Sequence, residues 1–340
     1  MASLREPNIQ DIASRVKNYL GGLPPRVLDL AKVEAIQIVG MFAGAYNLNY
    51  HVQINDREFI VRVNIEQQSG LSDQMDYEFQ TLEFLQGQEI APRPIYLDDT
   101  KARFEFDILI EQYLKGPYLT LEKGEMPEAA QLLARLHSLP PGLRRWIVWV
   151  DPLASTYQLA SSDLANYRAS ASANPEIVDL SGRLLRTIEP QLEEGRRLFR
   201  ADGVNHTDLA RDNFIRTERG LRLIDWEKPR VDDSSYDLCC FLSKPAQLWC
   251  GIETLAADAR EEFIKAYGTA SGKDEELLRQ KIRLREPLVS LHWILWGAIK
   301  LSDLQDRKTS SALVQVHEEK VTRWNRFARP ENVSELLSAL

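Results

Sequence analysis

The chain has 340 residues, 44% hydrophobic and 27% charged, with a formal net charge of −8. That length suits one two-lobed body or two small domains and is ample to bury a core. With a pI near 5.4, no basic stripe recommends nucleic acid or an anionic membrane as a partner.

The start, Met1-Ala-Ser-Leu-Arg5-Glu6, carries charge early and lacks the apolar run of a signal peptide. The longest apolar stretch, Leu288 to Leu301, is broken by Ser290, His292 and Lys300, so it reads as a buried helix rather than a membrane span. Cys239, Cys240 and Cys250 show no Cys-x-x-Cys spacing and no nearby histidine. Free thiols and a cytoplasmic location are therefore expected.

Behind a leading helix, residues 35–112 read as strands around one helix. Ala35 to Val39 alternates, and Gly40 to Asn47 is a turn containing Gly44. Tyr46 to Ile54 and Phe59 to Ile65 follow as strands joined at Asn55-Asp56, a turn signal. The helix spans Asp73 to Gln86, with Tyr77, Leu82 and Leu85 on its apolar face and Phe79 alongside. Phe106 to Leu114 is a strand that runs into the Gly116-Pro117 break.

From Pro127 the pattern turns helical. Leu132, Leu133, Leu136 and Leu139 recur at helical spacing, ended by Pro140-Pro141-Gly142. Residues 143–175 read as irregular and partly helical, and Ile188 to Leu198 as the next helix, with Pro190 near its start. Glu286 to Gly297 reads as one helix with Pro287 in its first turn.

Between these helical stretches lies the chemistry. His206-x-Asp208-x4-Asn213 is followed by Ile224-Asp225-Trp226-Glu227, with Phe214 to Thr217 and Leu221 to Ile224 as a short hairpin turned at Gly220. Asp208 can orient and deprotonate a hydroxyl, while the oxygens of Asn213 and Asp225 can hold magnesium against a nucleotide's phosphates. Phosphoryl transfer asks the protein for positioning and charge neutralisation rather than covalent chemistry, and these residue types supply both.

The segment resembles the catalytic loop of the aminoglycoside phosphotransferase and choline kinase superfamily, through His206/Asp208/Asn213, Ile224-Asp225-Trp226-Glu227 and Tyr236-Asp237-Leu238. The family often has Pro-Gly just before the asparagine, where this chain has Arg211-Asp212. The resemblance implies an α+β, protein-kinase-like fold with a mainly β lobe at 1–115 and a mainly helical lobe at 116–340. It implies ATP and Mg2+ as cofactors, with Asp208 as base and Asn213 and Asp225 as metal ligands. Gly44 and Asn47 belong to the phosphate-covering turn, and Arg62 takes the place of the phosphate-binding cation with Glu78 as its counter-charge. Glu111 to Leu114, including Tyr113, would offer backbone groups to the base as the hinge. His206 and Asp237 are assigned scaffold roles, as is His137 in Leu136-His137-Ser138.

The acceptor that the resemblance implies is a small hydroxylated molecule such as an amino alcohol, an amino sugar or an aminoglycoside. Trp293 and Trp296 resemble the aromatics that surround a quaternary amine in choline kinases, and core packing of both is the reading slightly ahead. Glu227 is the other candidate for binding an amine, or for orienting the Asp225 region. No nucleic acid or membrane partner is expected, and the chain is expected as a monomer or homodimer. The rival reading is a catalytically weak, nucleotide-binding regulatory protein, because Arg211-Asp212 could disturb the loop.

Overall fold

Polar and apolar residues alternate along Asn47–Ile54 (β2), and Phe59, Val61 and Val63 of Arg57–Asn64 (β3) share the apolar side, which gives the first unit its two-faced sheet. These strands belong to a computed structural model that describes residues 9–44, 46–66, 73–121, 124–306 and 320–340. The start of the chain and Ala45 of the glycine-bearing turn lie outside the described residues.

Contacts divide the chain into two units. The first runs to Gly116 and takes in Thr217–Glu227; the second holds Pro117–Arg216, Lys228 onward and Lys320–Leu340. From the sequence alone, 217–227 is expected in the helical portion. Nothing local marks that return, because it depends on which neighbours the segment meets.

In the first unit, Ile9–Gly21 (α1) precedes Ile36–Ala43 (β1), β2, β3, the helix Gln74–Leu85 (α2), Pro94–Asp98 (β4) and Asp107–Gln112 (β5). The five strands lie in the order β1-β2-β3-β5-β4, each neighbouring pair antiparallel. Asn55 turns the chain between β2 and β3 at φ 56°, a backbone state that asparagine tolerates. Its side-chain oxygen accepts the Glu34 and Ala35 N–H groups.

Leu48, Tyr50, Val52, Phe59, Val61, Val63, Ile108 and Ile110 form one face of the sheet, sealed by Ile12, Val16 and Leu20 of α1. The register pairs Asn47 with Asn64, Asn49 with Arg62 and His51 with Ile60, which gathers polar residues on the opposite face. A slip of one residue would exchange the two faces and expose the core. On α2 the buried stripe is Met75, Glu78, Thr81, Leu82 and Leu85. Tyr77 and Phe79, expected on or beside it, are only half-buried.

The second unit is mainly helical, with Gly203–Asn205 (β6) pairing with Arg230–Asp232 (β9). Phe214–Thr217 (β7) ends where the first unit's segment 217–227 begins; that segment carries Gly220–Leu223 (β8) and a turn in which the Thr217 hydroxyl donates to the Gly220 carbonyl at 2.8 Å. Gly220 sits there at φ 100°, a conformation closed to most side chains. Met126–His137 (α3) comes first among the helices. Within 143–175, the region read as irregular, Pro152–Arg168 (α4) is a regular helix capped by Asp151, which accepts the Ala154 N–H. The stretch read as one helix from Ile188 is instead the end of Pro175–Ile188 (α5), a 3-10 turn holding Pro190, and Leu192–Leu198 (α6).

Ser235–Leu242 (α7), Lys244–Trp249 (α8) and Ala257–Ser271 (α9) lead to Glu275–Gln305 (α10), and Pro330–Ser338 (α11) closes the chain. Pro287 lies inside α10, not in its first turn as expected. A proline there removes the N–H that the Arg283 carbonyl would accept. Arg283 is exposed, so water can serve that carbonyl, while Leu278, Ile282 and Val289 hold the helix to the core on both sides. Among the described residues no helix is long and apolar enough to cross a membrane.

Gly297 of α10 is a packing requirement, since a Cβ there would come within 2.3 Å of the Phe327 ring. Gly297→Ala should therefore cost about 1–3 kcal/mol despite its better helix propensity. Gly182→Ala in α5 meets only the flexible end of Arg186 at 3.4 Å and should be neutral or stabilising by up to ~1 kcal/mol. Urea unfolding of both variants tests the contrast.

Candidate active site

Arg62 is the centre of the first unit's polar face, and only 3% of its side chain is exposed. One terminal nitrogen donates to Asp225 Oδ1 at 2.8 Å and to Glu227 Oε1 at 3.0 Å. Its Nε lies 3.2 Å from Glu78 Oε1 on α2. Glu111 of β5, buried, is a fourth carboxylate in the same field, beside the partly exposed Asp225. Burial opposes the charge on Arg62, but Glu78, Asp225, Glu227 and Glu111 together hold its pKa well above the usual arginine value. The carboxylates must share that one cation. Burial raises Glu78 well above the usual carboxylate range despite Arg62 beside it. Burial also raises Glu111 to about 7, an effect that Arg62 reduces and Asp225 reinforces.

Asn47 connects the β1–β2 turn to this cluster. Its Nδ2 donates to Glu227 Oε1 at 2.5 Å, and its Oδ1 accepts from Asn64 Nδ2 at 2.8 Å. Gly44 N–H donates to the Asn47 carbonyl at 2.7 Å and closes the turn. Sequence reasoning missed Asn64. Its signal was the alternation itself, since Asn64 lies two residues beyond Arg62 on the same face. Tyr113, just past β5, stacks on His51 with ring centroids 3.8 Å apart.

Asp225 follows β8 at φ 69°, an unfavourable state for a residue with a Cβ. Trp226, fully buried, donates its indole N–H to the Leu223 carbonyl at 3.0 Å and fixes the turn. Glu227, a candidate for an amine ligand, is 7% exposed and its Oε1 already accepts from Asn47 and Arg62.

The second unit holds the loop from His206 to Asn213. Asp237 of α7 is fully buried and accepts the N–H groups of His206 and Thr207, both at 2.8 Å. His137 Nε2 lies 3.0 Å from the same carboxylate, and its Nδ1 lies 2.8 Å from the Tyr267 hydroxyl. Thr207 sits at φ 74°, costly for a β-branched residue, and its hydroxyl donates to the Lys228 carbonyl at 2.7 Å. Burial by itself would raise Asp237. The hydrogen bond and charge of His137, followed by the charge and N–H of His206, instead hold it below the usual carboxylate value.

Further along the loop, Asn213 Nδ2 donates to the Asp208 carbonyl at 2.8 Å and fixes the separation of the two residues. Arg211 and Asp212, the unusual pair, have partners of their own. Arg211 donates to the Leu119 carbonyl at 3.3 Å, and Asp212 accepts the Trp249 indole N–H at 3.0 Å.

Trp293 and Trp296 meet edge to face, with ring centroids 5.7 Å apart. Trp296 also meets Trp324 at 6.0 Å and packs on an apolar cluster of Leu248, Trp324 and Phe327. The Lys300 ammonium lies 5.8 Å from the centre of the Trp296 ring. Cys239 and Cys240 are buried free thiols, and Cys250 is partly exposed.

Residues 40–280 match the model of the phosphotransferase enzyme family, and the chain belongs to that family. Among solved structures, it is similar to an ethanolamine kinase from Plasmodium vivax, with TM-score 0.66 and 16% identity over 98% of this chain and 94% of that one. A choline kinase from Cryptosporidium parvum gives 0.60 at 15% identity, covering 90% and 91%. A spectinomycin phosphotransferase bound to ADP and spectinomycin gives 0.59 at 14%, covering 91% and 94%. The fold is thus the α+β, kinase-like one expected from the motifs. A comparison with curated proteins finds no match.

Asp237→Ala should destabilise the protein by about 3–5 kcal/mol near neutral pH, because it strips a buried loop of its acceptor. A carboxylate with a lowered folded pKa stabilises fully above its unfolded value of about 3.9 and loses that contribution as pH falls through the folded value. The gap between variant and parent in urea unfolding should therefore stay constant from pH 8 to 5 and narrow below about pH 4.

Proposed function

We propose that the chain is an ATP-dependent O-phosphotransferase that moves the γ-phosphoryl group to a hydroxyl of a small molecule. The observation that carries this reading is the buried Arg62, ringed by carboxylates on the polar face of the sheet. A dry guanidinium offers paired donors to phosphate oxygens, and the neighbouring acids keep it charged and aimed.

Asp208 serves as the base that accepts the acceptor hydroxyl's proton. Asn213, with its Nδ2 committed to the Asp208 carbonyl, has Oδ1 left as an acceptor for a hard cation. Asp225 supplies carboxylate oxygen. No group of three or more His, Cys, Asp or Glu side chains is gathered as a metal cage among the described residues. Magnesium keeps water and takes substrate phosphates as ligands, so Asn213 and Asp225 would be enough to hold it on the protein side. When bound, it would neutralise charge on the phosphates. Gly44 and Asn47 shape the backbone that covers those phosphates.

The acceptor class is an amino alcohol, amino sugar or aminoglycoside. Glu227 serves this reading by orienting Arg62 and Asn47 rather than by binding an amine. The partners of Arg211 and Asp212 speak against a disturbed loop, and hence against a merely nucleotide-binding protein.

Asp208→Ala should lower kcat by about 10²–10⁴ while MgADP still binds, as befits loss of a general base. Asp225→Ala should weaken magnesium-dependent nucleotide binding as well. ADP release would be measured across amino alcohols, sugars and aminoglycosides, with nucleotide binding followed by calorimetry. Normal turnover by both variants would defeat the assignment.

A further inference from the structure

We infer that Asp212 is a positioning residue: clamped by Trp249 and Cys250 at the end of α8, it fixes the turn that presents Asn213 to magnesium. The inference rests on the magnesium-nucleotide reading above and deepens it.

The family often has Pro-Gly just before the asparagine, where this chain has Arg211-Asp212. Proline restrains the backbone by itself, and glycine opens conformations closed to other residues. Glycine is not required here, since neither Arg211 nor Asp212 has a positive φ in the turn Arg211–Asn213. The restraint that proline would give has to come from side chains instead.

The end of α8 supplies it. Asp212 Oδ2 accepts the Trp249 indole N–H at 3.0 Å and lies 3.5 Å from an Arg323 terminal nitrogen. Asp212 Oδ1 accepts the Cys250 thiol at 3.9 Å, and the same sulfur accepts the N–H groups of Arg211 and Asp212. Burial pushes that thiol up to about 11, so it keeps its proton near neutral pH. Trp249 is fixed in turn. The Arg323 guanidinium lies 4.9 Å from its ring centre, the Lys320 ammonium 5.8 Å and the Phe327 ring 6.4 Å.

The bonds of Asn213 itself stay within the loop. Its N–H donates to the Ala210 carbonyl at 3.0 Å, and its Nδ2 to the Asp208 carbonyl at 2.8 Å. Those bonds shape the turn, whereas Asp212 ties it to a helix outside. Magnesium demands near-octahedral geometry, so a turn free to shift presents the Asn213 Oδ1 poorly.

Calorimetry with ADP, with and without Mg2+, would test this on the parent, Asp212→Ala, Asp212→Asn and Trp249→Phe. Without metal all four should bind ADP alike. Mg2+ should tighten ADP binding by the parent, and Asp212→Ala and Trp249→Phe should each lose about tenfold of that gain, as when a residue that orients a metal ligand is removed. Asp212→Asn keeps an oxygen for the indole N–H and should stay within about threefold of the parent. In the free protein, the NMR signals of the Asn213 side-chain amide should move in Asp212→Ala and Trp249→Phe and stay in place in Asp212→Asn. If Asp212→Ala fails to fold, Trp249→Phe carries the test. Variants that lose stability in urea yet keep the full Mg2+ gain would overturn the positioning role and leave the kinase reading intact. A parent that binds no ADP, or whose ADP affinity ignores Mg2+, would overturn the kinase reading with it.

Discussion

One guanidinium sets the terms for the first unit. Taking Arg62 and its carboxylate partners out of water costs several kcal/mol per ion, and only close geometry recovers it. Glu78 from α2, Glu111 from β5, and Asp225 and Glu227 from the segment after β8 all converge on it. Each element is therefore constrained by the same charge. The cluster carries more acid than base, so some carboxyls rise in pKa, and the site is poised for further positive charge or for hydrogen-bond donors.

The sheet makes that arrangement possible. Its apolar face is closed by α1, so the polar face can be given over to chemistry. The register of β2, β3 and β5 then decides which side chains share a row. Asn47 and Asn64 are nearest the turn, Arg62 comes next, and Ile60 with Glu111 lies beyond.

The second unit solves a different problem. The loop from His206 to Asn213 is held in a conformation that its own residues disfavour, as Thr207 at φ 74° shows. Asp237 supplies the restraint by accepting two consecutive N–H groups, and His137 with Tyr267 holds Asp237 in turn. Local strain is thus held by buried acceptors one helix away. The tryptophans of α10 have a plainer setting, with Trp296 packed among Trp324, Phe327 and Leu248.

Spacing of polar residues in the sequence named Asp208, Asn213, Asp225 and Arg62, because hard-cation and phosphate chemistry admits few residue types. The Asn55-Asp56 turn signal between two strand-like runs gave β2 and β3, and the family motifs gave the kinase-like fold. Other features were illegible. The regular helix α4, the continuation of α10 through Pro287, and the membership of 217–227 in the first unit depend on packing partners that no local window contains. Glu227 and Glu111 illustrate the same limit. By sequence, one was an amine ligand or an organiser and the other a backbone contributor. Tertiary structure made the first a ligand of Arg62 and Asn47 and buried the second in the same field of charge, which raises its pKa to about 7. Composition and periodicity fix which groups a chain can offer, whereas a side chain's charge state and bonding partners are set by neighbours distant in sequence.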